Sequence, residues 1–292
     1  MIDFSTLPRK NKAYAGANGS KISVIYNDEQ YMLKFPPAPR KNLDMSYTNS
    51  CISEYIGSHI FNTIGIKAQE TLLGKFIVSD KEKIVVACKD FTSLGITLQD
   101  FASLKNQVIT SPRGGYGTEL SDVLYAIEDQ QSVDPHILTE RFWDMFIVDA
   151  LIANFDRHGS NWGFIKKNNK YRLSPIFDNG SSLFPQLNTD EKIMAVLNDQ
   201  NEIDQRIYTF PTSQVQHQGK KSSYYKIISS LDFEECNHAL VRITERVDLN
   251  KINKLIDTVD GISEIRKEFY KTIIKQRFEK ILLESYNKLK SR

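Results

Sequence analysis

Asn154-Phe155-Asp156-Arg157-His158-Gly159-Ser160-Asn161-Trp162-Gly163 opens the stretch that decides the fold of this chain, and Pro175-Ile176-Phe177-Asp178-Asn179-Gly180 closes it. A carboxylate, Asp156, is followed five positions later by an amide, Asn161, and a second carboxylate, Asp178, comes 22 positions after the first. Phosphoryl transfer from ATP calls for such a set: one carboxylate to orient the acceptor hydroxyl, plus an Asn and an Asp to hold Mg²⁺. The polar loop lies between an apolar helical segment and an apolar strand, so its side chains are fixed at the rim of a core. His158 fits two roles, a ligand or base, or a ring that bonds backbone groups and holds Asp156 in place.

Working outward, residues 139–155 are apolar nearly all round, from Phe142 and Trp143 to Leu151 and Ile152, which predicts a helix through the centre of a lobe. Asp149 within it calls for a buried partner or a groove-facing position. Residues 119–130 predict a second helix, with Leu120, Val123, Leu124 and Ile127 on one face. Residues 98–104 read as a short amphipathic element, and 111–117 as a glycine-bearing loop. From residue 189 onward the pattern predicts helices over 191–197, 201–207, 224–231, 234–242, 249–259 and 263–289, with a polar loop at 212–223. Residues 263–292 carry nine Lys/Arg against four Glu. That predicts a solvated basic face, the other reading being a face for phosphate, acidic protein or a membrane surface.

Upstream the chain is β-rich. Lys21-Ile22-Ser23-Val24-Ile25-Tyr26 and Tyr31-Met32-Leu33-Lys34-Phe35 predict short strands around an Asn27-Asp28-Glu29-Gln30 turn. Gly16-Ala17-Asn18-Gly19-Ser20 ahead of them is either an ordinary turn or a loop whose amides face phosphate oxygens. Lys34 sits in an otherwise apolar strand, so it is an edge lysine snorkelling to water or a cation on phosphates. Residues 47–65 predict a helix closed by Gly65. Glu54 within it has no basic neighbour at helical spacing, leaving an exposed glutamate or a partner of Lys34. Strands are predicted over 71–78 and 83–89, and the exit Lys89-Asp90-Phe91 would be a hinge meeting an adenine ring.

Composition narrows the class. At 292 residues, 40% hydrophobic and 25% charged, the chain can bury a full core in two lobes. A net charge of +2 makes no electrostatic case for nucleic acid or membrane binding. Three scattered cysteines, Cys51, Cys88 and Cys236, without a CxxC pair, fit thiols in a reducing compartment. No secretory signal peptide is visible, and no apolar segment reaches the roughly 18 residues that span a bilayer. The expectation is a cytoplasmic protein, with signal-independent secretion as an effector left open.

In this order and spacing, the glycine loop, strand lysine, helix glutamate, apolar strand, Asp-x-His-x-x-Asn and Phe-Asp-x-Gly resemble the bacterial HipA-like serine/threonine kinases. Within that family the chain looks like the short CtkA-type members. The resemblance covers about residues 14–186 and is carried by Gly16-Ala17-Asn18-Gly19-Ser20-Lys21-Ile22-Ser23, Tyr31-Met32-Leu33-Lys34-Phe35-Pro36-Pro37, Met45-Ser46-Tyr47-Thr48-Asn49, Phe142-Trp143-Asp144-Met145-Phe146, and the stretch quoted first. It implies an α+β, two-lobed protein-kinase-like fold: residues 1–91 form a β-rich N-lobe and residues 92–292 a mostly helical C-lobe. By the same resemblance Asp156 accepts the acceptor proton, and Asn161 and Asp178 ligate Mg²⁺. ATP is bound by Gly16, Ala17, Asn18, Gly19, Ser20, Lys34, Glu54, Lys89, Asp90, Phe91 and His158. Ser20 and Ser23 become candidate autophosphorylation sites. Partners implied are a protein with a Ser/Thr acceptor and an antitoxin-like regulator, with no direct nucleic acid or membrane contact and a monomeric state.

Three other readings stay open. The same loop resembles phosphoinositide-type lipid kinases, yet residues 181–190 after Asp178 contain no Lys or Arg to hold inositol phosphates. A small-molecule phosphotransferase would use Asp190, Glu191, Asp199, Glu202 and Asp204 for a cationic substrate. A non-catalytic nucleotide-binding module would bind without turnover.

Overall fold

The computed structural model describes residues 1–14, 20–37, 48–92, 95–108 and 118–292. The expected phosphate-loop residues Gly16, Ala17, Asn18 and Gly19, the start of the 47–65 helix and the 111–117 loop lie outside them. The N-terminal part is a six-stranded sheet of β1 (Ile2–Asp3), β2 (Arg9–Lys10), β3 (Lys21–Tyr26), β4 (Glu29–Lys34), β5 (Thr71–Val78) and β6 (Lys81–Lys89), ordered β1-β5-β6-β4-β3-β2. All pairings are antiparallel except β1 with β5. Alternation sorts the faces. Leu33 joins Phe4, Val24, Tyr31, Phe76, Val85 and Ala87 in one core, whereas Met32 packs with Cys51, Val86 and Cys88 on the other face. Lys34 shares that second face, under helix α1 (Ser50–Thr63), which packs on β5 and β6.

Helix α1 ends where Ile64 caps it and Gly65 takes φ +86°, a conformation glycine adopts without a Cβ penalty. The chain then meets the second lobe. The Gln69 amide donates to the Ile176 carbonyl at 2.7 Å, the Ile176 amide donates to the Lys67 carbonyl at 2.9 Å, and the Gln69 side-chain amide donates to the Lys89 carbonyl at 2.9 Å. One residue thus touches both the hinge strand and the approach to Asp178.

The second lobe is built on α4 (Pro135–Leu151), buried along most of its length, with Trp143, Ile147, Val148, Ala150 and Leu151 fully enclosed. Asp134 caps it by accepting from the His136 amide, and Pro135 occupies its first turn, so it starts before the expected 139. It ends at Leu151 rather than 155, where Ile152 caps it and Ala153 takes φ +54°. Each fully buried aliphatic side chain of this kind contributes about 1.5–3 kcal/mol. Around it lie α3 (Leu120–Asp129), α5 (Asp190–Leu197), α6 (Gln200–Asp204), α7 (Tyr224–Ser230), α8 (Glu234–Thr244), α9 (Leu249–Asp257), α10 (Glu264–Arg277) and α11 (Glu284–Lys290). A π turn at Phe278–Leu283 joins α10 to α11.

Four expectations need correction. Residues 98–104 are not one amphipathic element but the junction of β7 (Ile96–Asp100) and α2 (Phe101–Val108). β7 pairs with β8 (Gly163–Lys167) and through it with β9 (Lys170–Leu173), so the backbone of Gln99 and Asp100 lies against Gly163, where no Cβ would fit. The polar loop at 212–223 is a hairpin of β10 (Thr212–His217) and β11 (Lys220–Ser223). Polar residues hid it, because Gln214 and Gln216 alternate with Ser213 and Val215 rather than with bulky apolar groups. The 201–207 helix is α6 followed by a π turn at Gln205–Thr209. The basic face of the last helix is not wholly solvated: Arg277 is fully buried, its Nε donating to the Ala150 carbonyl at 2.5 Å, and Arg266 is also buried. Desolvation pulls the Arg277 guanidinium down to about 9.

Candidate active site

Strand β4 ends at Lys34, helix α1 carries Glu54, and the segment after β9 carries Asp178; the fold brings the three together. Lys34 Nζ donates to Glu54 Oε2 at 2.8 Å and to Asp178 Oδ1 at 3.0 Å. Of the two readings of Lys34 the geometry supports the inward one: burial opposes its charge, but Asp178 and Glu54 outweigh that and hold its pKa well above 10.5. Glu54 is enclosed, and its second oxygen accepts from the Asn179 amide at 3.1 Å. Gly57, one turn along, leaves room for this approach, since a Cβ there would sit 2.8 Å from the Asn179 Cβ. Asp178 has φ +61°, a left-handed turn that Asp tolerates. Its side chain stays 46% exposed while Lys34 keeps its pKa low against burial.

The catalytic-loop geometry rests on Arg157, to which sequence reading gave no role. Its guanidinium is buried. Nε and Nη2 donate to the two oxygens of Asp149 at 2.9 and 3.1 Å, which supplies the partner that residue required. Nη1 donates to the carbonyls of Asn161 at 2.8 Å and Phe177 at 2.5 Å, and Nη2 also to Asn179 Oδ1 at 2.5 Å. One fork therefore ties the helix, the loop and the Asp178 segment. Asn154, also without an assigned role, bridges Asp149 Oδ1, to which its side chain donates at 3.0 Å, and the Asp156 amide, from which it accepts at 3.0 Å. The signal for both was present: an Arg and an Asn beside a buried Asp.

Asp156 sits beside this frame. Burial and the neighbouring Asp178 push its carboxyl up to about 6. Asn161 donates its side-chain amide to the Asp156 backbone carbonyl at 2.8 Å, a bond that does not use its side-chain oxygen. His158 makes local bonds: Nδ1 accepts from the Ser160 amide at 3.2 Å, and its own amide donates to the Asp156 carbonyl at 2.9 Å. The hairpin supplies two further residues. Gln214 Nε2 donates to the Phe155 carbonyl at 2.6 Å and reaches Asp156 Oδ1 at 3.4 Å, and Lys221 Nζ donates to Gln214 Oε1 at 3.1 Å.

At the hinge, the Lys89 side chain turns outward to Glu29 (2.6 Å) and Glu70 (3.3 Å). The Asp90 carboxylate is occupied by Lys12 at 2.6 Å and Tyr14 at 2.7 Å, so the expected adenine contact would not use the Lys89 or Asp90 side chain. Phe91 packs near Phe177, ring centroids 5.9 Å apart. Ser20 is exposed, whereas Ser23 is buried and accepts from Gln30 Nε2 at 3.0 Å. Among the described residues no cluster of three or more His, Cys, Asp or Glu could hold a metal alone. Two hard oxygen donors, from Asn161 and Asp178, do fit a divalent cation that completes its shell with phosphate oxygens and water. No helix among the described residues is long and apolar enough to cross a membrane.

A working base at about 6 has a testable signature. If Asp156 must be ionised, kcat/KM rises with pH through about 6 and is flat above it. A rate profile unchanged between pH 5 and 8 would remove Asp156 from that role.

Residues 12–256 match the model of the HipA-like C-terminal domain. The chain is 48% identical over 285 residues to the serine/threonine-protein kinase CtkA of Helicobacter pylori strain J99, which covers 96% of this chain and 86% of that protein. It also superposes on the crystal structure of a Helicobacter pylori proinflammatory kinase CtkA with a TM-score of 0.90 and 46% identity, over 98% of this chain and 97% of that one. Kinases of this kind use ATP with a divalent metal and act on protein substrates. With the family model spanning most of its length and a kinase of the same fold at nearly half identity, the chain belongs to the HipA-like serine/threonine kinases.

Proposed function

We propose that this kinase transfers the γ-phosphoryl group of Mg²⁺-bound ATP to Ser/Thr hydroxyls of a protein, itself included, with Asp156 as the base. The observation that carries the reading is the chain Glu54–Lys34–Asp178, fixed to the Asp156 loop through Arg157. Mg²⁺ on Asn161 and Asp178 would neutralise charge building on the phosphates. Lys34, oriented by Glu54, holds phosphate oxygens, and the backbone of residues 89–91 holds the adenine edge. Asp156 accepts the acceptor proton, while Arg157 and Asn154 keep it in line with the metal carboxylate. Residues 1–91 and 92–292 are the two lobes. Ser20 is the better autophosphorylation candidate, because Ser23 would have to leave its bonds to Gln30 first. We place the protein as a monomer inside the cell, under an antitoxin-like regulator or released as an effector.

The experiment is intact mass and phosphopeptide mapping after incubation with Mg·ATP, beside Asp178→Asn. Phosphate on a Ser or Thr in the wild type, absent from the variant, is expected. ATP binding without phosphate transfer to any protein would instead favour a small-molecule acceptor.

Lys221 gives a subtler readout. Its charge helps to keep the Asp156 pKa down, and it is exposed. Lys221→Ala is expected to move the acid limb of the rate profile to higher pH and to cost about two- to fivefold in kcat/KM, the scale of an exposed charge interaction. An unmoved limb would detach Lys221 from the site.

A further inference from the structure

Away from the Asp156 loop, three helix N-termini meet at a cavity of about 330 Å³. Asn49, Cys51 and Ile52 bring the start of α1, Asn188 and Asp190 the start of α5, and Ser263 and Arg266 the start of α10. The N-termini of α5 and α10 are capped by the Thr189 and Ser263 side chains. Asn49, at the α1 N-cap, makes no cap bond; its amide donates instead to the carbonyls of Pro185 at 3.2 Å and Leu187 at 3.1 Å. The first turn of α1 contains no acidic residue, so no carboxylate of that turn offsets the partial positive charge of its leading amides.

The independent observation is Arg266. It is 5% exposed, its Nη1 is buried without a hydrogen-bond partner, and no ion pair to it forms among the described residues. The Tyr270 hydroxyl lies beside it as a polar neighbour but brings no counter-charge. A buried guanidinium requires a counter-charge, and converging helix dipoles favour the same sign of ligand. Asp190 is the opposing charge on the rim, and its Oδ1 accepts from the Ser263 hydroxyl at 2.7 Å.

We propose that this cavity binds a phosphate-class oxyanion, either inorganic phosphate or the phosphoryl group of a phosphorylated hydroxyl, on Arg266 and the first-turn amides of α1. Such an anion bridges α10 to the helix that carries Glu54. It therefore sets how firmly Glu54 holds Lys34, a regulatory consequence that rests on the proposed function.

Calorimetric titration at constant ionic strength, with ADP filling the nucleotide site, tests the binding. Inorganic phosphate and O-phosphoserine are the two probes. Saturable binding is expected in the wild type, at least tenfold weaker in Arg266→Gln and tighter in Asp190→Asn. Tighter binding of phosphoserine than of phosphate assigns the phosphorylated side chain as the source, and the reverse order assigns free phosphate. No saturable binding of either probe, or wild-type affinity in Arg266→Gln, overturns the proposal. Should Arg266→Gln fail to fold, Asp190→Asn decides: unchanged affinity there also overturns it. Anion binding in a protein that transfers no phosphate would leave this site standing and sink the kinase mechanism instead.

Discussion

Asp156→Asn is expected to abolish phosphotransfer and, at pH 8, to make the protein more stable. The rate loss follows from removing the proposed proton acceptor, about 10²–10⁴-fold. The stability gain follows from linkage. Asp156 titrates at about 6 in the folded chain against an ordinary 3.8, so the folded state favours the protonated form. The cost of keeping the carboxylate ionised is fully present above about pH 6, fades as the pH falls, and is gone below 3.8. Its size is on the order of 3 kcal/mol. An amide carries no such penalty. Denaturant unfolding of both proteins at pH 8 and pH 4 checks this, with the advantage of the variant expected only at the higher pH. Equal stability at both would mean that burial and Asp178 do not strain the carboxylate as the geometry implies.

Arg157→Met is expected to be the most damaging single change near the site. It leaves the Asp149 carboxylate buried without its cation and frees the carbonyls of Asn161 and Phe177 and the oxygen of Asn179. Removing one partner of a buried pair costs about 3–5 kcal/mol, a fall in Tm of roughly 10 °C. Activity should fall by at least about 10²-fold even in the folded fraction, because the Asp156 loop and the Asp178 segment lose their common tie. The double variant Arg157→Met/Asp149→Leu separates the effects. It should regain most of the stability, since no charge is left unpaired, while kcat stays low. If kcat returns as well, Arg157 serves the fold alone and not the alignment of the loop.

Much of this was legible before any coordinates, for identifiable reasons. Strand β5 runs over the expected residues, and helix α4 was visible because an apolar run of that length has few other homes. Fold class and family could be read from the order of the polar motifs. What escaped were contacts closed by the tertiary fold. Gln214 and Lys221 lie more than fifty residues from Asp156 and look like loop residues until the hairpin pairs them. Arg157 was in plain view, yet its partners Asp149, Asn161 and Phe177 come from three segments that only the packed lobe brings together. Arg266 and Arg277 counted as surface charge by composition, and burial reversed that.

Gln69 changes how the two lobes can move. Its backbone is fastened to the segment leading to Asp178 and its side chain to the hinge strand, so two of the ties between the lobes meet at one residue. A strap would allow the lobes to separate along any direction, whereas a shared pivot permits rotation. In a rotation about that pivot, residues 89–91 beside it would move little and more distant residues would move more. The nucleotide base would keep its seat as the phosphate end of the cleft opens, and release would begin at the phosphates.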